Sequence, residues 1–551
     1  MASDTPNTPE ESPRGSNSLD HEATALLPLG EVSIASDTET GDPKSWIPPR
    51  GFLWIELAIF ANVFLAGFDS TITASTYALI SSDFHAANTA SWLTTSYLIT
   101  STAFQPLYGR FSDIFGRRAC FFAATLSFML GCVGCGVARD VVGLNLMRGL
   151  TGVGGGGLMT MATIINSDMI PFQQRGMYQA AQNVLNGFGA ICGASLGGAI
   201  ADTVGWRWCF LLQVPVSILA LGVGYVVVRD HYSPHAQDID RSVKGVWRRI
   251  DFSGALLLVL GLSAQLVGLS LGGNELPWDS LWVISALAIS VVILALFVVV
   301  EAKTSAMPVI PLHMLRGRIA VSAQISNICV GMAAYAFLFM LPLFFQAILL
   351  DTASTAGTRL IIPSLATPLG GLVSGAIMSR WGQLAHLVRA GALLMCVGNA
   401  LVMTLGFEDA SWKYIVYIFP ANLGQGIVYP AILFTVLAAF GHEADHAVSA
   451  STVYLIRSLG TVYGVAITSS ITQSTLKARL PDALRGIPDK WKLIDDIRHS
   501  VTAIHGLPAE VRRAVQQVYY DGIRASFAVS AGVAGVAVVA AIFAGGRGLR
   551  R

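Results

Sequence analysis

Gly109-Arg110-Phe111-Ser112-Asp113-Ile114-Phe115-Gly116-Arg117-Arg118 is a short basic stretch, bounded by glycine, between two long apolar runs. A polar, tightly turning link of this kind joins two membrane-spanning helices. Outward from it, apolar runs recur along nearly the whole chain, which has 551 residues, 53% of them hydrophobic and only 13% charged. That composition excludes a soluble globule. Lipid cannot hydrogen-bond an open backbone, so the runs are expected to cross as helices and the protein to be all-α and polytopic.

Fourteen spans are expected, at about 51–79, 90–110, 118–138, 142–168, 178–200, 207–229, 251–271, 280–300, 320–349, 355–379, 388–407, 412–439, 446–472 and 525–546. Each approaches or exceeds the roughly 20 residues that a crossing takes. Only Gly272, Gly273 and Pro277 mark the short link inside 251–300. With the N-terminus in the cytosol, the inner loops hold Arg110, Arg117, Arg118, Arg175, Arg229, Arg241, Lys244, Arg248, Arg249, Arg316, Arg318 and Arg380. The short outer loops hold Arg139, Arg207 and Lys413. This bias puts both termini in the cytosol, with 547–551 as a short tail. Loop 440–446 has no Lys or Arg, and the basic segment 473–524 is too long for the rule to apply.

A net charge of +1 and the lack of a long basic domain argue against a nucleic-acid partner. Cys132 and Cys135 are one helical turn apart, but no His or further Cys adjoins them, so they read as small apolar filler. No metal or organic cofactor is expected. Residues 1–50, rich in Ser, Thr, Pro, Glu and Asp, read as a disordered cytosolic tail. Within it Glu22 stands four residues before Leu26-Leu27, which resembles the acidic-dileucine signal that sorting adaptors bind.

Two charges within spans stand out. Asp69, in Phe64-Leu65-Ala66-Gly67-Phe68-Asp69-Ser70-Thr71, is expensive in lipid and should face the bundle interior. It reads either as a structural partner for Ser or Thr, or as a titratable group for proton or cation coupling. Arg148, in the fourth span, sits about 9 Å from its outer end. Asp69 lies at a similar depth, which permits a pair without establishing one. Arg148 cannot carry a proton, because it stays charged, but it can hold Asp69 ionised. Gly152-Val153-Gly154-Gly155-Gly156-Gly157 lacks the Lys and Ser/Thr of a phosphate loop and reads as close helix packing. The small residues repeating every fourth position from Gly189 read the same way.

Further polar residues reach an interior only by inference: Gln105, Asn183, Asn186, Gln324, Asn327, Gln346, Asn422, Gln425 and Arg457. Asn183 with Asn186, Gln324 with Asn327, and Asn422 with Gln425 are each three apart and so share a helix face. Tyr335, Pro342 and Tyr429-Pro430 read either as substrate contacts or as ordinary kinks. No Ser-His-Asp set or metal cluster is apparent, so a transporter is expected rather than an enzyme; a nutrient-sensing membrane receptor is the alternative.

Together these stretches resemble the major facilitator superfamily, in its fourteen-span drug:proton antiporter branch. Gly109, Asp113, Gly116, Arg117 and Arg118 match its loop 2–3 signature, and Arg148-Gly149 with Gly152 its fourth-span motif. Gly189, Gly193, Gly197 and Gly198 resemble the antiporter motif, Trp206 through Pro215 the entry to span six, and Asp69 with Thr71 the first-span motif. Ala194 replaces the usual Pro, and Gln213 the usual Asn. The resemblance implies two six-helix bundles, 51–229 and 320–546, with two extra spans in 230–319. It implies a central site at the bundle interface, to which Asp69, Arg148, Asn183, Asn186, Gln324, Asn327, Tyr335, Asn422, Gln425 and Tyr429 would contribute. The loop 2–3 residues would gate the cytosolic ends. Within the branch, the tail, the Asp69 region and loop 473–524 resemble fungal vacuolar basic amino acid transporters. That likeness implies exchange of Lys, Arg or His for protons across the vacuolar membrane by a monomer. Extrusion of amphipathic drugs or toxins at the plasma membrane stays open beside it.

Overall fold

The computed structural model describes residues 48–49, 51–84, 92–228, 250–273, 276–440, 446–485, 490–499, 504 and 506–544. Glu22, Leu26 and Leu27, expected to form a sorting signal, lie outside them. The elements are α1 (Phe52–Asp83), α2 (Trp92–Phe115), α3 (Arg117–Val137), α4 (Val141–Met169), α5 (Phe172–Thr203), α6 (Arg207–Val227, broken at Leu212), α7 (Phe252–Leu271) and α8 (Leu281–Lys303). After a turn at Leu312–Leu315 come α9 (Arg318–Ala347), α10 (Thr355–Trp381), α11 (Leu384–Met403), α12 (Ser411–Ala439), α13 (His446–Ala483), α14 (Lys490–His499) and α15 (Ala509–Phe543).

Twelve helices among the described residues are long and apolar enough to cross a membrane, two fewer than the sequence suggested. The two that fall short are α2 and α4, which have 24 and 29 residues and so sufficient length. Their hydropathy is diluted by Thr95, Ser96, Gln105, Arg110 and Asp113 in α2 and by Asn145, Arg148 and the glycine run in α4. Both pack among other helices, so their polar residues meet protein. A hypothetical Cβ on Gly152 or Gly156 would collide with α2 backbone at Tyr97 or Ser101, and one on Gly154 with α3 at Ala124 and Phe128. The run is a packing surface, as its failure as a phosphate loop suggested. Gly189 and Gly193 likewise abut the Phe64 and Phe68 carbonyls of α1, whereas Gly187 and Gly198 face open space.

The basic link is tighter than its polarity suggested. Residues through Phe115 continue α2, Gly116 alone breaks the helix at φ 93°, and α3 starts at Arg117. That left-handed backbone favours glycine. The segment 473–524 also differs from a plain loop. Helix α13 continues to Ala483, α14 intervenes, and α15 begins at Ala509. Leu480, Ile497 and Tyr519 pack there with Phe344 of α9 in one apolar cluster. The Tyr519 hydroxyl donates to the Ile497 carbonyl at 2.7 Å.

Most of the packing stays within the early helices or within the late ones. Helix α1 lies on α5 and α6, and α4 on α2 and α3; α9 lies on α13 and α15, and α12 on α10 and α11. Helices α7 and α8 pair with each other, and α7 also rests on α2. The two largest crossings between early and late helices are α5 with α10 and α2 with α13.

Candidate functional site

Asp69 and Arg148 meet. Arg148 Nη1 donates to Asp69 Oδ1 at 2.8 Å and to Oδ2 at 3.0 Å. Both side chains are sealed, with 0% and 1% exposure for Asp69 and Arg148. Arg148 Nε donates to the Leu93 carbonyl at 3.3 Å, and the guanidinium lies 4.6 Å from the Tyr97 ring centre and 5.6 Å from that of Phe210. Gln213, which stands where Asn is usual, donates from Nε2 to Asp69 Oδ1 at 3.4 Å. Four helices thus enclose one ion pair, and water is excluded from it. A pair this deep survives only because each charge is the other's partner.

At the other end of α2, Arg117 is the hub. Its Nη1 donates to Asp113 Oδ1 and to Ser112 Oγ, each at 2.7 Å, and its Nε donates to Asp168 Oδ2 of α4 at 2.7 Å. Arg110 Nε reaches the Pro308 carbonyl at 2.6 Å, tying α2 to the segment between α8 and α9. Arg118 donates to the Tyr225 carbonyl at 3.0 Å and stacks over that ring. Gly109 lets α13 approach, since a side-chain carbon there would collide with Ser451 Oγ and the Ala447 carbonyl. The signature residues therefore lock α2, α3, α4, α6 and α13 at one end of the molecule.

A second polar cluster lies in the first third of α13. Asn327 donates to the Val453 carbonyl at 2.8 Å and to Gln324 Oε1 at 3.3 Å. Its Oδ1 accepts from Arg457 Nε at 3.3 Å, and Arg457 Nη2 donates to the Tyr429 carbonyl at 3.1 Å. The Arg457 guanidinium stacks 4.1 Å from the Tyr429 ring centre. Nearby, the Tyr454 hydroxyl bonds Thr163 of α4 at 2.7 Å and accepts from Gln179 of α5 at 3.4 Å. Ser458 donates to Gln105 of α2 at 2.9 Å. Tyr335 of α9 is 42% exposed.

The remaining expected residues lie at separate places. Asn422 donates to the Pro363 carbonyl of α10 at 3.1 Å, with buried Gln425 one turn on. Asn183 lies against Gly371 of α10, and the Asn186 carbonyl backs onto Gly67 of α1. Sequence reasoning missed Glu56 of α1, a carboxylate only 4% exposed whose Oε2 accepts from Asn166 at 3.5 Å. It named Arg457 only as one polar residue among many.

A family model described as Major Facilitator Superfamily matches residues 59–465. Vacuolar basic amino acid transporter 2 of Saccharomyces cerevisiae is 42% identical, over 82% of this chain and 97% of its own length. Multidrug resistance protein fnx1 of Schizosaccharomyces pombe is 35% identical, over 87% of this chain and 89% of its own. Among solved structures, a human organic anion transporter matches with a TM-score of 0.59 at 12% identity, covering 90% of this chain and all of that one, which speaks to the fold. The helical fold, the signature residues locked around Gly116 and these matches lead to one conclusion: the chain belongs to the Major Facilitator Superfamily.

Proposed function

We propose that the protein is a proton-coupled secondary transporter, not an enzyme, that moves basic amino acids (Lys, Arg, His) from the cytosol into the vacuole. The observation that carries this reading is the 42% identity to vacuolar basic amino acid transporter 2 across 97% of that protein. The protein resides in the vacuolar membrane as a monomer, and an adaptor reads Glu22 and Leu26-Leu27. Helices α2 and α4 cross the bilayer with the twelve more apolar ones, giving fourteen spans. Residues 51–229 and 320–546 form the two bundles, with 230–319 supplying the extra pair.

Asp69 is the coupling group in this reading. Arg148 remains charged throughout, so only Asp69 changes state. A proton arriving from the acidic lumen neutralises Asp69 and releases Arg148. A cationic substrate competes for the same carboxylate, and because it binds poorly beside the proton, the two exchange. The Arg117–Asp113–Asp168 set latches the cytosolic ends. With α2 against α13 and α5 against α10 there, and Tyr335 exposed, the arrangement fits the lumen-open state.

Vesicles containing the purified protein and an acid interior should accumulate lysine, and a protonophore should abolish the accumulation. The 35% identity to multidrug resistance protein fnx1 supports a second reading, extrusion of lipophilic cations at the plasma membrane. Transport of such cations without any Lys, Arg or His flux would establish that reading instead.

A further inference from the structure

Arg457 is a cation that the coupling and latch assignments leave unused. It lies eleven residues into α13, about 16 Å along the helix, near the middle of a bilayer. Arg148 is spent on Asp69, Arg117 on Asp113 and Asp168, and Arg359 on Asp351 at 2.6 Å. Arg457 forms no such ion pair among the described residues. Its Nε and Nη2 donate only to neutral oxygens, Asn327 Oδ1 and the Tyr429 carbonyl. The rings of Tyr429 and Tyr454, centred 4.1 and 5.3 Å away, hold the guanidinium in position. It is half-buried, and the next residue, Ser458, bonds Gln105 of the opposite half.

A mid-membrane charge is costly without a counter-ion, and neutral acceptors offset only part of that cost. A planar guanidinium anchored on one side and without an acid on the other matches a carboxylate, which accepts two parallel N–H bonds. We infer that Arg457 binds the carboxylate of the transported molecule, so that the substrate class is restricted to amino acids with a free α-carboxyl group. This rests on the proposed transport of basic amino acids and narrows it. The carboxylate docks on Arg457 between the two halves, and Asn327 and Tyr429 orient the fork. A cation that lacks a carboxylate leaves Arg457 unneutralised and is rejected by the same physics.

The test compares lysine with cadaverine, which is lysine without its carboxyl group, in wild-type vesicles. Lysine uptake should be inhibited by unlabelled lysine and by arginine, but about tenfold less well by cadaverine and agmatine. Arg457→Gln should raise the lysine KM by about tenfold or more and abolish that discrimination, leaving cadaverine inhibition unchanged. Arg457→Lys, which keeps the charge but loses the fork, should recover part of the affinity. Equal inhibition by lysine and cadaverine in the wild type, or an unchanged KM in Arg457→Gln, would overturn the inference. Should the wild type move no basic amino acid, thermal shift with small carboxylates decides separately. Stabilisation of the wild type but not of Arg457→Gln then keeps the carboxylate site, and stabilisation of neither, or of both alike, removes it.

Discussion

Asp69 spends both carboxylate oxygens on one guanidinium nitrogen, so any step that protonates it must also dispose of the Arg148 charge. This makes the single variant informative in two ways. Asp69→Asn leaves Arg148 buried and unpaired, and removal of one partner of a buried pair costs about 3–5 kcal/mol. Its melting temperature in detergent should therefore fall, and should recover in the double variant Asp69→Asn with Arg148→Gln. Lysine uptake driven by a pH gradient should be lost in both, which separates coupling from stability. Uptake that persists in the stable double variant would remove Asp69 from the mechanism. Both charges were legible in the sequence because each stands alone among apolar residues. Their contact was not, since equal depth in two helices says nothing of which faces oppose. Glu56 was overlooked for a different reason. It lies four residues after the start of α1, beside the polar tail, where a carboxylate normally meets water; in the fold it is buried and meets Asn166 of α4.

Elements were read well where hydropathy was the signal and less well where shielding was. Helices α2 and α4 are polar because protein surrounds them, and α13 and α15 outrun their apolar cores because amphipathic extensions pack on one another. Between α11 and α12 a tight turn carries its own chemistry. Asp409 accepts from the Gly406 amide at 2.7 Å and from Lys413 Nζ at 2.6 Å. The Lys413 hydrogen bond, and then that amide, hold the Asp409 carboxyl below its ordinary range. A folded-state value below the unfolded one, about 3.9, adds stability that is complete above the unfolded value. That stability is lost only as pH falls through the folded value. The turn faces the lumen in the proposed topology, so the pair stays ionised in an acidic vacuole. Asp409→Asn should lower the melting temperature by the same amount at about pH 7 and about pH 5, the gap closing only below about pH 4. A gap that had already closed at the milder acid pH would show that the turn does not hold the carboxylate ionised.

At the scale of the molecule, the early and late helices touch through few polar bonds among the described residues, which suits the proposed transporter, whose two halves must part and rejoin. Tyr454 supplies two of these bonds, to Thr163 and Gln179, and Gly109 lets α13 close on α2 just below. A hydrogen bond of this kind contributes about 0.5–1.5 kcal/mol net, enough to move a balanced two-state equilibrium several-fold. Tyr454→Phe keeps the ring beneath Arg457 and deletes only the hydroxyl. It should shift the population towards the cytosol-open state, with less loss of overall stability than a core truncation would cause. A single cysteine introduced as Ala447→Cys, in a background without the native cysteines, reports the shift. Ala447 is 2% exposed while α2 and α13 are closed, so maleimide should label it slowly from the cytosolic side. Labelling should accelerate several-fold in Tyr454→Phe, and an acidic lumen, which drives the lumen-open state with its proton bound, should slow it again. An unchanged labelling rate would mean that Tyr454 is packing rather than a brace between the halves, and closure would then rest on Gly109 and the Arg117 set alone.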